Sequence, residues 1–160
     1  MSKTNKECEL VKKLTNKRYT ITTAESCTGG LLSAALVNVS GASEVLNCAF
    51  VTYANEAKEQ FAGVSRDTLL QHGAVSKETA AEMCAGCARM AHADMGLSTT
   101  GIAGPGGGTP DKPVGLVYIG CCLHGDVTVE RHVFSGDRLR VREQTVEVAL
   151  DLAIRCLDKE

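Results

Sequence analysis

The spacing of apolar positions along the chain changes repeatedly between a helical period and short continuous runs, and this predicts an α/β protein. Apolar residues three or four apart predict amphipathic helices, and brief β-prone apolar runs predict strands. The predicted order is α-β-α-β-α-α-α-β, followed by β-β-α. Helices are predicted over 4–17, 31–40, 55–62, 65–72, 76–93 and from 137 towards the C-terminus, and strands over 19–24, 45–53, 96–100, 114–123 and 127–134.

Strands separated by helices favour parallel pairing, whereas the short turn at 124–126 predicts a hairpin that adds an antiparallel strand. We therefore expect a three-layer α/β/α sandwich on a mixed five-stranded sheet, with one antiparallel strand near the C-terminal hairpin and a single domain over residues 1–160. The run at 45–53 is almost continuously apolar and predicts a strand covered on both faces. Thr4 to Glu7 fits a capping box for the first helix.

Three chemically unusual segments follow the first three predicted strands. Ser26 follows strand one, Tyr53 and Lys58 follow strand two, and the glycine-rich segment 101–113 follows strand three. Ligands of open α/β sheets bind beyond the carboxyl ends of parallel strands. If these three strands are parallel, the three segments meet at one edge of the sheet.

Ser26 stands where a β-prone run stops and a helix begins, and this position has three interpretations. The serine can be a helix N-cap, the turn can bind an anion through backbone N–H groups, or the hydroxyl can be a nucleophile. A nucleophilic serine needs a base, and the four histidines are predicted at helix ends or in the hairpin. Lys58 is better placed, and desolvation can lower the pKa of a lysine towards neutrality.

Each of these residues also has an ordinary structural interpretation. Lys58 can be a solvated surface lysine, and Tyr53 a half-buried strand aromatic. In the catalytic interpretation, Tyr53 orients the pair or passes a proton, and the amides of Thr28, Gly29 and Gly30 form an oxyanion hole. The glycine segment 101–113 matches neither a Walker sequence nor a helix-opening dinucleotide fingerprint. Its glycines permit close approach of a ligand, and a flexible surface loop is the alternative.

Composition excludes several classes of function. The net charge is −2 with no basic run longer than two residues, so nucleic-acid and membrane-surface binding have no electrostatic support. The N-terminus lacks the apolar core of a signal peptide, and no apolar stretch approaches the length of a membrane span, so we expect a cytosolic protein. We interpret the eight cysteines as reduced and mostly buried. A metal or redox site at Cys84 and Cys87 is the alternative, and we expect no metal.

Five segments, taken together and in order, resemble the CinA C-terminal domain family over about residues 10–155. They are Thr23-Ala24-Glu25-Ser26-Cys27-Thr28-Gly29-Gly30, Val51-Thr52-Tyr53-Ala54-Asn55-Glu56-Ala57-Lys58, His72-Gly73-Ala74-Val75-Ser76, Gly101-Ile102-Ala103-Gly104-Pro105 and Phe134-Ser135-Gly136-Asp137-Arg138. The resemblance implies hydrolysis of nicotinamide mononucleotide to nicotinate mononucleotide and ammonia, without a metal or cofactor. We expect a homo-oligomer, most simply a dimer.

The resemblance also implies roles for individual residues. Ser26 would be the nucleophile, Lys58 the general base and Tyr53 its assistant. Substrate and oxyanion contacts would come from a larger set: Thr28, Gly29, Gly30, Thr100, Gly101, Ile102, Ala103 and Gly104, with Arg138 and Arg142 near the substrate phosphate.

Two other hypotheses stay open at the level of sequence. The chain can be a non-catalytic nucleotide-binding or regulatory module of the same family. Alternatively, it can be a hydrolase or metal enzyme that depends on Cys27. Release of ammonia from nicotinamide mononucleotide separates the first alternative from the amidase, and retained activity in Cys27→Ser removes the second.

Overall fold

The computed structural model describes residues 5–160 and contains a five-stranded sheet with helices on both faces. The helices are α1 (Lys6–Lys17), α2 (Leu31–Val37), α3 (Asn55–Ala62), α4 (Arg66–His72), α5 (Lys77–Ala91) and α6 (Arg138–Asp158). The strands are β1 (Ile21–Glu25), β2 (Leu46–Val51), β3 (Met95–Gly101), β4 (Leu116–Leu123) and β5 (Asp126–Val133), and a short 3₁₀ turn spans Ala42–Glu44.

The sheet has the strand order β2-β1-β3-β4-β5. Strand β1 lies parallel to both β2 and β3, and β4 is antiparallel to β3 and to β5. The predicted mixed sheet with one antiparallel strand is therefore confirmed. Since β1, β2 and β3 are parallel and adjacent, their carboxyl ends lie at the same edge.

The two faces of the sheet are covered by two sets of helices. On one face the larger core is formed by α1, α2 and α6, with β-strand residues such as Ile21, Leu97 and Ile119 buried beneath them. On the other face α5 packs across the sheet, and α3 and α4 pack against α5. Burial of these apolar side chains is the main favourable contribution to folding.

One prediction about the sheet is wrong. The run at 45–53 was expected to form a strand covered on both faces, but β2 is an edge strand that ends at Val51. Its residues alternate between half-buried and exposed, and Val51 is 53% exposed. The physical reason is that β2 has a single neighbouring strand, and the helices cover mainly the inner strands. The apolar run alone could not distinguish an edge from a centre.

The helix boundaries follow from local capping. Asn5 caps α1 by accepting a hydrogen bond from the backbone N of Cys8 at 3.1 Å, so the first helix begins one residue after Asn5. The part of the predicted capping box that concerns Thr4 lies outside the described residues. Ser65, Ser76 and Asp137 cap α4, α5 and α6 in the same way, as their positions before apolar periodic segments predict.

A close approach between α3 and α5 positions the helix that carries Lys58. A Cβ atom added at Gly86 of α5 would lie 1.7 Å from the carbonyl oxygen of Ala62, the last residue of α3. This distance is far below van der Waals contact with a backbone atom that has no flexible side chain to move. Gly86 is therefore required by packing, although glycine is otherwise unfavourable inside a helix.

We expect Gly86→Ala to lower the free energy of unfolding by about 1–3 kcal/mol, because the methyl group forces α3 and α5 apart. Urea denaturation followed by circular dichroism measures this change. Gly106→Ala is the matched control, since a Cβ at Gly106 meets nothing within 4 Å. Equal stability of the two variants would contradict the close packing of α3 on α5.

Candidate functional site

A pocket of about 220 Å³ lies at the carboxyl edge of β1, β2 and β3. Its lining comes from all three segments that the sequence placed there. The lining residues are Ser26, Cys27, Tyr53, Gly101, Ile102, Ala103, Gly104, Gly106, Gly107 and Arg138. The pocket surface therefore combines a serine hydroxyl, a phenol ring with its hydroxyl, one guanidinium group and a large amount of glycine backbone.

Lys58 contacts Ser26 from inside the protein. Its side chain is 1% exposed, and Nζ lies 3.1 Å from Ser26 Oγ. Nζ also donates hydrogen bonds to the carbonyl oxygens of Thr52 at 2.8 Å and Tyr53 at 3.2 Å. Among residues 5–160, no carboxylate lies within 4 Å of this ammonium group. Lys58 is therefore not the solvated surface lysine that composition alone would favour.

Burial shifts the protonation equilibrium of Lys58 towards its neutral form. Burial lowers the pKa of Lys58 below the ordinary value of 10.5, because removal from water penalises the charged ammonium. Two of its three partners are carbonyl oxygens, which only accept. A neutral amine has two N–H groups for these carbonyls and one lone pair left for a hydrogen bond donated by the Ser26 hydroxyl. This is the arrangement that a serine–base pair requires.

The turn that carries Ser26 is held by a buried carboxylate that sequence reasoning missed. Glu25, the last residue of β1, is fully buried. Its Oε1 accepts hydrogen bonds from the Thr28 hydroxyl at 2.6 Å and the Leu32 backbone N at 2.8 Å, and its Oε2 accepts from the Ser33 backbone N at 3.0 Å. Glu25 thus satisfies the free N–H groups at the start of α2. The sequence marks this role weakly, because Glu25 stands at the end of a strand and α2 begins only at Leu31.

The Glu25 carboxylate also prevents a substrate anion from binding at the start of α2. The first-turn amides of α2 already have a negatively charged partner, so this helix start is not an anion site of the phosphate-loop type. The Gly29 amide is used as well, since it donates to the Ser26 carbonyl at 3.1 Å. In the part of the chain that the structure describes, the amides of Thr28 and Gly30 have no backbone acceptor, although Thr28 is fully buried and neither residue lines the pocket.

The two arginines assigned to the phosphate have different surroundings. Arg138 lines the pocket, where its Nη1 donates to the Gly104 carbonyl at 2.9 Å and its Nη2 donates to the Tyr53 hydroxyl at 3.1 Å. Arg142 does not line the pocket. Its Nε and Nη2 donate to the carbonyl oxygens of Cys27 and Thr28 at 3.0 and 2.9 Å, which fixes the turn after Ser26.

Tyr53 and Thr100 are also placed differently from their predicted roles. The Tyr53 ring is 62% exposed, and its hydroxyl contacts Arg138, whereas only its backbone carbonyl contacts Lys58. Thr100 is 1% exposed, and its hydroxyl donates to the Ala74 carbonyl at 2.7 Å. This side chain therefore contacts the segment before α5 and not the pocket. The residues after it, Gly101 to Gly104, do line the pocket.

The start of the glycine segment is fixed by the sheet. Backbone hydrogen bonds join Ile102 to Leu116 and Gly115 and extend the pairing of β3 with β4. A Cβ at Gly101 would lie 2.7 Å from the carbonyl oxygen of Leu116, so the close approach of these two segments requires glycine. The first part of the segment is therefore held by the sheet and forms a wall of the pocket. It is not a flexible surface loop.

Cys27 does not have the properties of a reactive nucleophile. It is 6% exposed, and burial raises the pKa of its thiol to about 12. All eight cysteines have free thiols, and within residues 5–160 no group of histidine, cysteine and acidic side chains has the geometry of a metal site. None of the described helices has both the length and the apolar character needed to cross a membrane.

The fold and the pocket together define an α/β protein with a serine–lysine pair at the carboxyl edge of its parallel strands. A family model described as the CinA C-terminal domain matches residues 3–157, and the chain belongs to this family. The resemblance in the sequence is confirmed by this match.

Solved structures and curated relatives agree with this assignment. A CinA superfamily protein from Klebsiella pneumoniae is 33% identical, with a TM-score of 0.93 and coverage of 97% of each chain. The competence/damage inducible protein CihA from Agrobacterium tumefaciens is 39% identical, with a TM-score of 0.89 and coverage of 96% of each chain. A protein of Alkaliphilus metalliredigens named for competence-damage induction is 56% identical over 150 residues. The match covers 94% of this chain but only 36% of that relative.

We expect Glu25→Gln to lower the free energy of unfolding by about 1–3 kcal/mol. The amide keeps one accepting oxygen, but its NH₂ group then faces a donor that the carboxylate had accepted from. Urea denaturation at neutral pH measures the change. The exposed Glu59 on α3 supplies the matched control, Glu59→Gln. If Glu25→Gln were as stable as that control, the capping role of Glu25 would be wrong.

Proposed function

We propose that this protein is an amidohydrolase that converts nicotinamide mononucleotide to nicotinate mononucleotide and ammonia. The observation that carries the proposal is the contact between the buried Lys58 amine and the Ser26 hydroxyl beside a pocket. The family membership and the resemblance of the site segments to family motifs supply the substrate. The chain spans about a third of the length of the curated relative it matches.

In the first half of the reaction, the Ser26 oxygen attacks the carboxamide carbon while its proton moves to the neutral Lys58 amine. The negative charge that develops on the carbonyl oxygen is stabilised by the free amides of the turn, for which Thr28 and Gly30 are the candidates. The carbon–nitrogen bond then breaks, and ammonia leaves with the proton from the Lys58 ammonium. The product of this half is an ester between Ser26 and the nicotinoyl group.

In the second half, water attacks the ester carbon while Lys58 accepts a proton from the water. The bond between the acyl carbon and the Ser26 oxygen then breaks, Lys58 returns the proton to that oxygen, and the carboxylate product leaves. The lowered pKa of Lys58 matters in both halves, because a lysine with its ordinary pKa is almost fully protonated near neutral pH and cannot accept a proton. The positively charged pyridinium ring of the substrate draws electrons from the carboxamide, which makes attack by a weakly activated serine easier.

We propose that Arg138, rather than Arg142, contacts the substrate phosphate. Arg138 lies in the pocket wall, and its partners among residues 5–160 are a carbonyl and a phenolic oxygen, both of which are neutral. A phosphate oxygen is a stronger acceptor for a guanidinium group. The two donors of Arg142 on the backbone of Cys27 and Thr28 suit a structural role in the turn. Tyr53, at the pocket rim, then positions Arg138 and offers its ring to the substrate base.

We expect Ser26→Ala and Lys58→Ala each to reduce ammonia release from nicotinamide mononucleotide by at least about 10³-fold, because each removes one member of the nucleophile–base pair. A coupled ammonia assay measures turnover, and circular dichroism checks that the variants are folded. Ser43→Ala and Lys12→Ala are matched controls at exposed positions.

Near-normal turnover in either site variant would contradict the mechanism. A wild-type protein that binds the nucleotide but releases no ammonia would instead support the non-catalytic module of the same family. Full activity in Cys27→Ser would remove the alternative in which the neighbouring thiol is the nucleophile.

We expect Arg138→Ala to raise the KM for nicotinamide mononucleotide about 10- to 100-fold, through loss of a charge-assisted hydrogen bond, with a smaller effect on kcat. The effect should vanish for nicotinamide riboside, which lacks the phosphate. Arg140→Ala is the control, since Arg140 lies in the same turn of α6 and contacts Glu143 instead of the pocket. An equal loss for both substrates would show that Arg138 does not bind phosphate.

A further inference from the structure

Two of the eight cysteines lie together at the opposite end of the sheet from the pocket. Cys121 is a buried residue of β4, and Cys156 is a half-buried residue near the end of α6. Cys156 packs against the core cluster that contains Cys121. The register of the sheet pairs Cys121 with Thr128 on β5, so Thr128 flanks the same site. Neither thiol takes part in the proposed reaction.

Cys156 is accessible from solvent, whereas Cys121 lies behind it. A surface cavity of about 210 Å³ is lined by Cys156 together with Thr128, His124 and Lys159, while Cys121 is fully buried. A small oxidant can therefore reach the first sulfur but not the second. This is the arrangement of an attacking thiol with a resolving thiol.

The chemical surroundings separate Cys156 from the other cysteines. The pKa of Cys156 is lowered, first by the hydrogen bond from Cys121, with contributions from Thr128 and from the positive charges of Lys159 and Arg155. The pKa of Cys121 is raised, because its thiol donates that hydrogen bond and is buried. Burial raises the pKa of the Cys84 thiol to about 12. Thiolates are the reactive form of cysteine, so Cys156 stands out.

Other charged groups lie around the pair. Arg155 contacts Glu130 of β5 at 2.8 Å, and His124 contacts Glu160 at 3.3 Å. His124 and Glu160 line the cavity, as does Asp126, whereas Arg155 and Glu130 do not. The positive charge nearest to Cys156 that lines the cavity itself is Lys159.

We propose that Cys156 and Cys121 form a redox site in which a hydroperoxide oxidises Cys156 and Cys121 resolves it to an intramolecular disulfide. The Cys156 thiolate attacks the peroxide oxygen, the O–O bond breaks, and hydroxide or alkoxide leaves, which gives a sulfenic acid. The Cys121 sulfur then attacks the Cys156 sulfur and displaces water. Overall, two thiols lose two electrons and two protons, and the peroxide is reduced to water or to an alcohol and water. A thiol reductant reverses the change.

The test treats the full-length protein with a small excess of hydrogen peroxide, followed by alkylation and peptide mapping by mass spectrometry. We expect a loss of about 2 Da and a single cross-linked peptide pair that contains Cys121 and Cys156, reversed by dithiothreitol. In Cys121→Ala the oxidation should be slower, because the hydrogen bond from Cys121 is lost, and it should stop at a Cys156 sulfenic acid that dimedone traps. Cys156→Ser should give no cross-link, and Cys8→Ser, which removes an exposed thiol, should behave as the wild type.

The wild-type peptide map decides the proposal even if a variant fails to fold. A cross-link between any other two cysteines, or oxidation of Cys8 at the same rate as Cys156 with no cross-link, would overturn it. A second measurement uses iodoacetamide at neutral pH. A thiol with a lowered pKa has a larger thiolate fraction at pH 7 than an ordinary cysteine, which is only a few per cent ionised. Cys156 should therefore react at least about 10-fold faster than Cys8, and equal rates would contradict the proposal.

Discussion

The site depends on a carboxylate placed under the turn that joins β1 to α2. Glu25 is fully buried, yet it is satisfied by two backbone amides of α2 and by the Thr28 hydroxyl. These contacts join the end of a central strand to the start of a helix. Because Ser26 is the next residue along the chain, its position follows from that junction. Arg142 fixes the same turn from the α6 side through two further backbone carbonyls.

A second constraint is the free-energy cost of burying Lys58, which has no carboxylate partner among residues 5–160. Burying an ammonium group is unfavourable, and the protein relieves this by favouring the neutral amine. The neutral amine still needs partners, and the carbonyls at the end of β2 provide them. The close packing of α3 against Gly86 holds the helix in place. The lysine can therefore act as a base only because several ordinary packing contacts keep water away from it.

Much of the fold follows from the sequence, because hydrophobic period and capping residues are local signals. Element order, the parallel arrangement and the convergence of Ser26, Tyr53 and the glycine segment at one edge needed only these signals and the rule for parallel sheets. The edge position of β2 did not follow, since an apolar run has the same appearance in a central strand and at an edge. Strand order is set by long-range contacts that local patterns do not contain.

The site was predictable to a similar extent. The sequence placed Ser26 and Lys58 on neighbouring segments, but burial of Lys58 depends on α5 packing over α3, which no single residue signals. Glu25 was missed because acidic residues are rarely buried, so its place next to Ser26 suggested solvent exposure. Arg142 was assigned to the substrate phosphate because it is an arginine close in sequence to Arg138, and guanidinium groups bind phosphate well. Its actual partners are backbone carbonyls, which a sequence does not mark.

The helix α6 connects the pocket with the pair of Cys121 and Cys156. It is 21 residues long, or about 31 Å, and it runs without interruption from one end of the sheet to the other. Arg138 lies in its first turn beside the pocket, and Cys156 lies in its last turns beside Cys121. The pocket wall and the thiol pair therefore lie about 27 Å apart on one continuous helix, so both depend on how α6 packs against the sheet.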